Sequence, residues 1–174
     1  MKHWINDEDT LDVQDSELTF DAVYSKEYIP TECLGELKKA DILLIPEEMF
    51  RERRGCFFPE CTEEFFTYVK DNKSDNVVVD ICVSDEDFQR IELHADLITV
   101  ATLIVQWVIL PTATSLIAAY LYDKIKNRNK SAENTNAEVN IIVEKDKKSK
   151  KISYSGSIEN FEMAMKTIDE TIFK

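Results

Sequence analysis

Glycine and proline are scarce in this sequence, which contains only three Gly and four Pro among its 174 residues. Because these two residues interrupt helices and strands, their scarcity predicts regular secondary structure along most of the chain. Hydrophobic residues make up 44% and charged residues 32%, a balance typical of a chain that folds around a packed core. The length allows one ordinary domain or two small ones and excludes a large multidomain enzyme.

Residues that commonly serve catalysis and nucleotide binding are also scarce. The chain has two histidines, His3 and His94, and neither belongs to a serine or cysteine motif. It contains no Gly-rich phosphate loop of the G-x-G-x-x-G or G-x-x-x-x-G-K-[ST] type. An enzyme combines a nucleophile, a positioned base and an electrophilic group, so we predict a protein that is not an enzyme, with no catalytic residues and no cofactor.

Basic residues are far fewer than acidic ones in the first half of the chain. The net charge is −13; residues 1–96 hold ten Lys and Arg against twenty-five Asp and Glu, a balance of −15, whereas residues 123–174 hold eleven against nine, a balance of +2. An acidic field repels phosphate backbones and attracts basic protein surfaces. We therefore expect protein partners and no nucleic acid, although acidity is also a common route to solubility.

A secretory signal is not recognisable, because residues 1–21 are polar and acidic. We expect a protein of the cytoplasm or the inner membrane, with free thiols at its four cysteines. Cys56 and Cys61 have the C-x4-C spacing of a zinc ligand pair, but Cys33 and Cys82 lie far away in the sequence. Ordinary half-buried cysteines are the favoured interpretation.

The N-terminal half predicts an acidic flexible lead over residues 1–15 and a small α/β module over residues 16–92. Predicted strands at 18–24, 41–45 and 77–83 alternate with predicted helices at 31–39 and 59–70, the second beginning at Pro59. Strands separated by helices of this length favour parallel pairing through crossover connections.

Four carboxylates follow two of these predicted strands: Glu47, Glu48, Asp85 and Asp87. Carboxylates clustered at strand ends suit a divalent cation, since hard metals prefer oxygen ligands. The alternative, which we favour, is that Ser84 caps a following helix and the nearby acids lie in its first turn.

Charge is absent altogether from residues 97–122, which we predict to be the core of a kinked helical segment spanning residues 93–126. The whole segment meets the length of about twenty apolar residues that a bilayer-spanning helix needs, and Pro111 divides it into two pieces that are each too short to span, which excludes a hairpin of two full spans. The segment is therefore expected to lie in a membrane or an oligomer core, or to be the core helix of one compact domain. Its defining positions are Leu97, Val105, Trp107, Pro111, Ile117 and Tyr120.

A polar linker (127–138) and a β-hairpin followed by a helix (139–174) complete the predicted organisation. Ser157 is the predicted helix cap, with Ile158, Phe161 and Met165 on one apolar face. The hairpin tip and the flank of the apolar segment form a predicted basic surface, either solvated or facing anionic lipid. It comprises Lys124, Lys126, Arg128, Lys147, Lys148, Lys150 and Lys151.

The sequence VNIIVEKDKKSKKISYSGSIENFEMAM, which begins at Val139, contains a Tyr-x-Gly and Glu-x-Phe pattern at Tyr154, Gly156, Glu159 and Phe161. With the apolar segment before it, this half of the chain resembles small bacterial proteins encoded beside effectors in conflict or antiphage systems. The resemblance implies a non-enzymatic accessory component, membrane-associated or oligomeric, that binds a protein or a second copy of itself. The alternative function is a soluble α/β ligand-sensing or metal-dependent catalytic domain whose core is the apolar helix.

Overall fold

The computed structural model of the protein describes residues 2–4, 9–93 and 96–174. Within these residues, helices lie between groups of strands, and short 3-10 turns are found at Thr31–Cys33, Trp107–Ile109 and Glu170–Phe173. The strands are β1 (Lys2–Trp4), β2 (Thr10–Ser16), β3 (Ile42–Ile45), β4 (Glu47–Phe50), β5 (Arg53–Pro59), β6 (Val79–Ile81), β7 (Phe88–Ile91), β8 (Leu97–Thr99), β9 (Thr102–Gln106), β10 (Asn136–Lys145) and β11 (Lys148–Ser157). The helices are α1 (Phe20–Tyr24), α2 (Leu34–Leu37), α3 (Thr62–Asn72), α4 (Leu110–Lys126) and α5 (Ile158–Lys166).

One mixed sheet of eight strands forms the centre of the fold, in the order β1-β2-β11-β10-β9-β3-β6, with β8 also pairing with β10. A second sheet has the order β4-β5-β7. Helices α3, α4 and α5 form a layer on the large sheet: α4 contacts both α3 and α5, and the three helices contact β6, β9 and β11. The mixed α/β class predicted from the sequence is confirmed.

Both halves of the chain contribute to the large sheet, so the separate modules expected from the sequence are joined. The β2 strand runs antiparallel to β11, and β9 lies between β10 and β3. The flexible lead is wrong for residues 10–15, because Leu11 and Val13 are buried opposite Tyr154 and Ile152 of β11. Polar residues at positions 10, 12 and 14 alternate with these apolar ones, which is the pattern of a half-buried strand.

The apolar segment is not one helix. Its first part forms β8 and β9, and only residues from Leu110 onward are helical. Leu103, Ile104 and Val105 are fully buried, as befits a strand in the interior of a sheet covered on both faces. A short apolar run of this kind fits a buried strand and a buried helix equally well, so periodicity did not separate them.

Pro111 does not kink the helix, because it lies in the first turn of α4, where a missing N–H leaves no hydrogen bond unmade. Within the described residues, no helix combines the length and the apolar character that crossing a lipid bilayer requires.

Other elements of the N-terminal half differ from the prediction in detail. Residues 20–24 are helical rather than extended, and the Thr19 hydroxyl accepts a hydrogen bond from the Ala22 N–H at 3.1 Å. Pro59 ends β5, so α3 begins three residues later. Ser84 starts a turn that leads into β7 instead of a helix, and its hydroxyl accepts from the Asp87 N–H. The helix predicted at 31–39 is present as a 3-10 turn followed by α2, which ends at Leu37, and the strand predicted at 41–45 is present as β3. The predicted parallel pairing is confirmed for β3 and β6.

The predicted C-terminal hairpin and helix are present with different bounds, because β10 begins at Asn136, inside the predicted linker of 127–138, and α5 ends at Lys166. The two strands β10 and β11 pair over their whole length, and the turn between them is Asp146-Lys147 with positive φ at both residues, as in a type I′ hairpin. Around the tip, Lys145 pairs with Glu170 at 3.1 Å and Lys150 pairs with Asp15.

Candidate binding sites

The predicted carboxylate cluster is divided between different surroundings. Glu48 forms an ion pair with Lys26 at 3.0 Å, Glu47 accepts a hydrogen bond from the Thr102 hydroxyl at 3.3 Å, and Asp87 contacts Ser84. In the part of the chain that the structure describes, no group of three or more His, Cys, Asp or Glu side chains is arranged to hold a metal ion. The four carboxylates therefore do not form a metal site there.

The cysteines are free thiols, and the burial of Cys56 and Cys82 argues against chemical reactivity of these two. Cys56 and Cys82 are buried and Cys33 is exposed. Burial raises the pKa of the Cys82 thiol to about 12 and also raises the pKa of Cys56. Because the thiolate is the nucleophile and the metal ligand, protonated buried thiols are suited to packing rather than to chemistry.

One residue of the predicted basic surface lies in the interior. Lys124 is only 3% exposed, pairs with Glu64 at 3.0 Å and lies 5.8 Å from the centre of the Tyr120 ring. It lies on the side of α4 that faces α3, so its apolar stem is buried with its neighbours. Exposed side chains remain at Lys126, Arg128, Lys147 and Lys148, whereas Lys150 and Lys151 are half-buried.

The residues that carry the family resemblance build the junction between β11 and α5. The Tyr154 hydroxyl donates to the Ser157 carbonyl at 2.6 Å, and its ring meets Phe161 edge-on at 5.3 Å. Gly156 lies against Asp9, where a Cβ atom would come within 2.3 Å of the carboxylate. Tyr154, Gly156 and Phe161 therefore have structural roles at this junction, whereas Glu159 is exposed in the first turn of α5.

The start of α5 is capped from a distance rather than by Ser157, whose side chain makes no capping bond. The Asp9 carboxylate accepts from the Ser157 N–H at 2.9 Å and from the Asn160 side-chain amide at 2.7 Å. Because Asp9 lies far away in the chain, local capping patterns gave no signal for this contact.

An apolar groove of about 590 Å³ lies between the start of α4 and α5. Trp107, Val108, Leu110 and Pro111 line one side, and Met165 lies on the other. Val108 is 79% exposed, the highest value among the large exposed hydrophobic residues that the structure describes. The remaining lining residues are Thr114, Ser115, Glu162, Lys166, Ile168 and Glu170.

This groove exists because the charge-free run continues beyond the end of β9. The 3-10 turn at Trp107–Ile109 connects the strand to α4 outside the sheet, where Val108 projects into solvent. The Trp107 ring meets Phe173 edge-on at 5.6 Å, so the C-terminal turn supports this side of the groove. From the sequence, Trp107 and Pro111 were predicted to belong to the apolar helical segment, and neither was predicted to lie at the surface of the protein.

A second cavity, of about 280 Å³, lies between the two sheets. Phe50, Phe57, Pro59 and Ile91 of the small sheet are among its apolar lining residues. The polar groups at its wall are Glu47, Thr99, Thr102, Glu138 and Asn140; among the lining residues that the structure describes there is neither Lys nor Arg.

Comparisons of the chain with protein-family models, curated proteins and solved structures give no match. A functional proposal therefore has to start from surface features of the structure, and the groove and the cavity described above are two of them.

Proposed function

We propose that this protein is a non-enzymatic accessory component that acts by binding a protein partner, and that the groove between α4 and α5 is its recognition site. The observation that carries the proposal is the exposed Val108 beside an apolar groove of about 590 Å³. Apolar patches of this kind, edged by polar residues, are typical of protein–protein contact sites.

The groove has the size and lining of a site for anchoring side chains. Covering a side chain such as Val108 is worth about 1.5–3 kcal/mol, and a partner would also cover the apolar surface of Trp107 and Met165. Aromatic residues in pockets of this type are the common centres of binding energy at interfaces.

The charge of the molecule favours a basic partner. Glu162 and Glu170 flank the groove beside Lys166, Glu170 is also paired with Lys145 at 3.1 Å, and the whole chain carries a net charge of −13. An amphipathic helix would place its apolar face in the groove, and Lys or Arg on its flanks would be attracted by the negative charge of the protein. By the resemblance of the C-terminal half, that helix would belong to the effector of a bacterial defence system.

The groove is tested with two synthetic helical peptides that share an apolar face and differ in flanking charge, one basic and one acidic. We expect the basic peptide to bind with a micromolar Kd, which corresponds to about −8 kcal/mol, and to shift the NMR signals of Val108 and the Trp107 indole. The acidic peptide should bind at least about tenfold more weakly.

The variant Val108→Asp should weaken binding of the basic peptide about tenfold or more, because a carboxylate would be desolvated in the groove. Val78→Asp is the matched control, since Val78 is also an exposed valine but is not among the groove residues. Equal loss of affinity in both variants, or an unaffected Val108→Asp, contradicts the proposal. A concentration-dependent dimer that Val108→Asp abolishes would assign the groove to self-association instead.

The defence role is tested separately, by phage plaque counts on cells that carry the gene with its neighbours. Loss of protection with Val108→Asp but not with Val78→Asp supports the role. Unchanged plaque counts after deletion of the gene contradict it.

A further inference from the structure

We infer that the cavity between the two sheets binds a small organic cation, an amine attached to an apolar group. This site is separate from the groove and does not depend on the proposed partner. Its basis is a cavity of about 280 Å³ that combines an apolar wall with two carboxylates, and neither Lys nor Arg is among the described residues that line it.

The register of the large sheet places the polar groups on one wall. Glu138 of β10 is paired with Thr99 of β8, and Asn140 lies two residues further along the same strand. Paired residues, and residues two apart on a strand, point to the same side of a sheet. All three are half-buried, so their polar atoms are partly removed from water.

The small sheet supplies the second carboxylate. Glu47 lies on β4, opposite Phe57 of β5, and its carboxylate accepts a hydrogen bond from the Thr102 hydroxyl of β9 at 3.3 Å. This bond links the two sheets and holds the Glu47 carboxylate at the cavity wall.

The two carboxylates of the cavity, Glu47 and Glu138, have no basic side chain paired with them in the described part of the chain. Lys124 and Arg128 line a neighbouring cavity of about 20 Å³ that shares Thr99, and Lys124 is already paired with Glu64. Glu138 is half-buried and Glu47 is exposed at the cavity mouth, so an opposite charge would stabilise both carboxylates, and a cationic ligand is favoured over a neutral or anionic one.

The opposite wall selects an apolar group on the same ligand. Phe57 is buried and its ring centre lies 5.8 Å from that of Phe50. The Phe50 ring already has the Arg51 guanidinium 5.1 Å from its centre, so we assign the ligand's apolar part to Phe57, Pro59 and Ile91. At about 30 Å³ for each water, the volume corresponds to roughly nine waters, or a ligand of about nine non-hydrogen atoms.

The test uses three probes of nearly equal size: 2-phenylethylamine, 2-phenylethanol and phenylacetate, which are cationic, neutral and anionic. Isothermal titration and NMR shift mapping on the full chain should show millimolar binding of the amine, with shifts at Thr99, Asn140 and Phe57. The alcohol should bind at least about fivefold more weakly, and phenylacetate should not bind. Equal affinity for amine and alcohol, or no shifts at these residues with the amine, overturns the inference.

The variants E47Q and E138Q each remove one charge while keeping the side-chain shape. Each should weaken amine binding about three- to tenfold and leave alcohol binding unchanged, because only the cation interacts with the lost charge. Glu47 is exposed, so E47Q tests the site even if E138Q alters folding. E133Q, at an exposed residue outside the cavity, is the control for overall charge. An equal effect of E133Q, or none of E47Q, also overturns the inference.

Discussion

The contact between Asp9 and Gly156 gives the sharpest prediction about stability. Replacing Gly156 by Ala would place a Cβ atom 2.3 Å from Oδ1 and 2.6 Å from Cγ of Asp9. Real carbon contacts lie at about 3.5–4.0 Å, so one of the two groups has to move. Asp9 is 2% exposed and caps α5 through the Ser157 N–H, and any displacement breaks that contact.

The magnitude follows from the bonds that would be lost. Hydrogen bonds to a charged group contribute about 1.5–3 kcal/mol and a helix cap contributes about 0.5–2 kcal/mol. Both values describe the same contact of Asp9 here, so they are not added. We expect Gly156→Ala to lower the free energy of unfolding by about 2–3 kcal/mol. In a chain of this length each kcal/mol shifts Tm by about 2–4 °C, so Tm should fall by about 4–12 °C.

Urea unfolding followed by circular dichroism measures this loss, with Gly35→Ala as the matched control because nothing lies within 4 Å of a Cβ at Gly35. Asp9→Ala alone should cost about the same as Gly156→Ala. The double variant should cost much less than the sum, since both changes remove the same contact. Additive losses, or a Gly156→Ala variant as stable as Gly35→Ala, would refute the reasoning.

Three further predictions concern the core. A water-soluble disulfide reagent should modify Cys33 in the native protein, and should reach the buried Cys56 and Cys82 only after unfolding, as followed by mass spectrometry. Burial raises the folded-state pKa of Cys82 to about 12, so the native state holds this proton more tightly than the unfolded state. Stability should therefore fall as pH rises from about 9 towards 12, by a slope that Cys82→Ala reduces in urea titrations; part of the slope remains, because burial also raises the pKa of Cys56, Tyr28, Tyr120 and Tyr154. Ile117→Arg should unfold the protein, since Ile117 is 0% exposed, whereas Tyr122→Arg at a 43% exposed position should leave the melting curve nearly unchanged.

The C-terminal half was the most predictable part of the fold because its signals are local. Alternating Val139, Ile141 and Val143 specify a half-buried strand, and Ile158, Phe161 and Met165 specify one face of a helix. Both patterns depend only on neighbours in sequence, and the structure confirms both.

The apolar segment was mispredicted because its environment is set by distant residues. Strand β9 is apolar on both faces since β10 and β3 flank it and other elements cover it, so its sequence shows neither alternation nor helical spacing. Thr102 and Val105 are β-branched and favour a strand, but that preference is weak beside the length of the charge-free run.

The candidate sites could largely not be predicted from the sequence, because they too are formed by residues that lie far apart in the chain. Glu47 was singled out as a candidate metal ligand together with Glu48, Asp85 and Asp87, whereas the structure places it at the same cavity as Glu138. These two carboxylates lie in different halves of the chain and share a cavity only because one sheet packs on another. No local spacing connects them.

The central claim is that the charge-free stretch forms an interior strand and a core helix within the protein. Amide hydrogen exchange across residues 97–126, measured in dilute monomer, tests it most directly. Protection of β9 and α4 approaching that of global unfolding, with fast exchange confined to the Trp107–Ile109 turn between them, is the predicted result. Rapid exchange throughout the stretch in a monomer that is otherwise folded would contradict it.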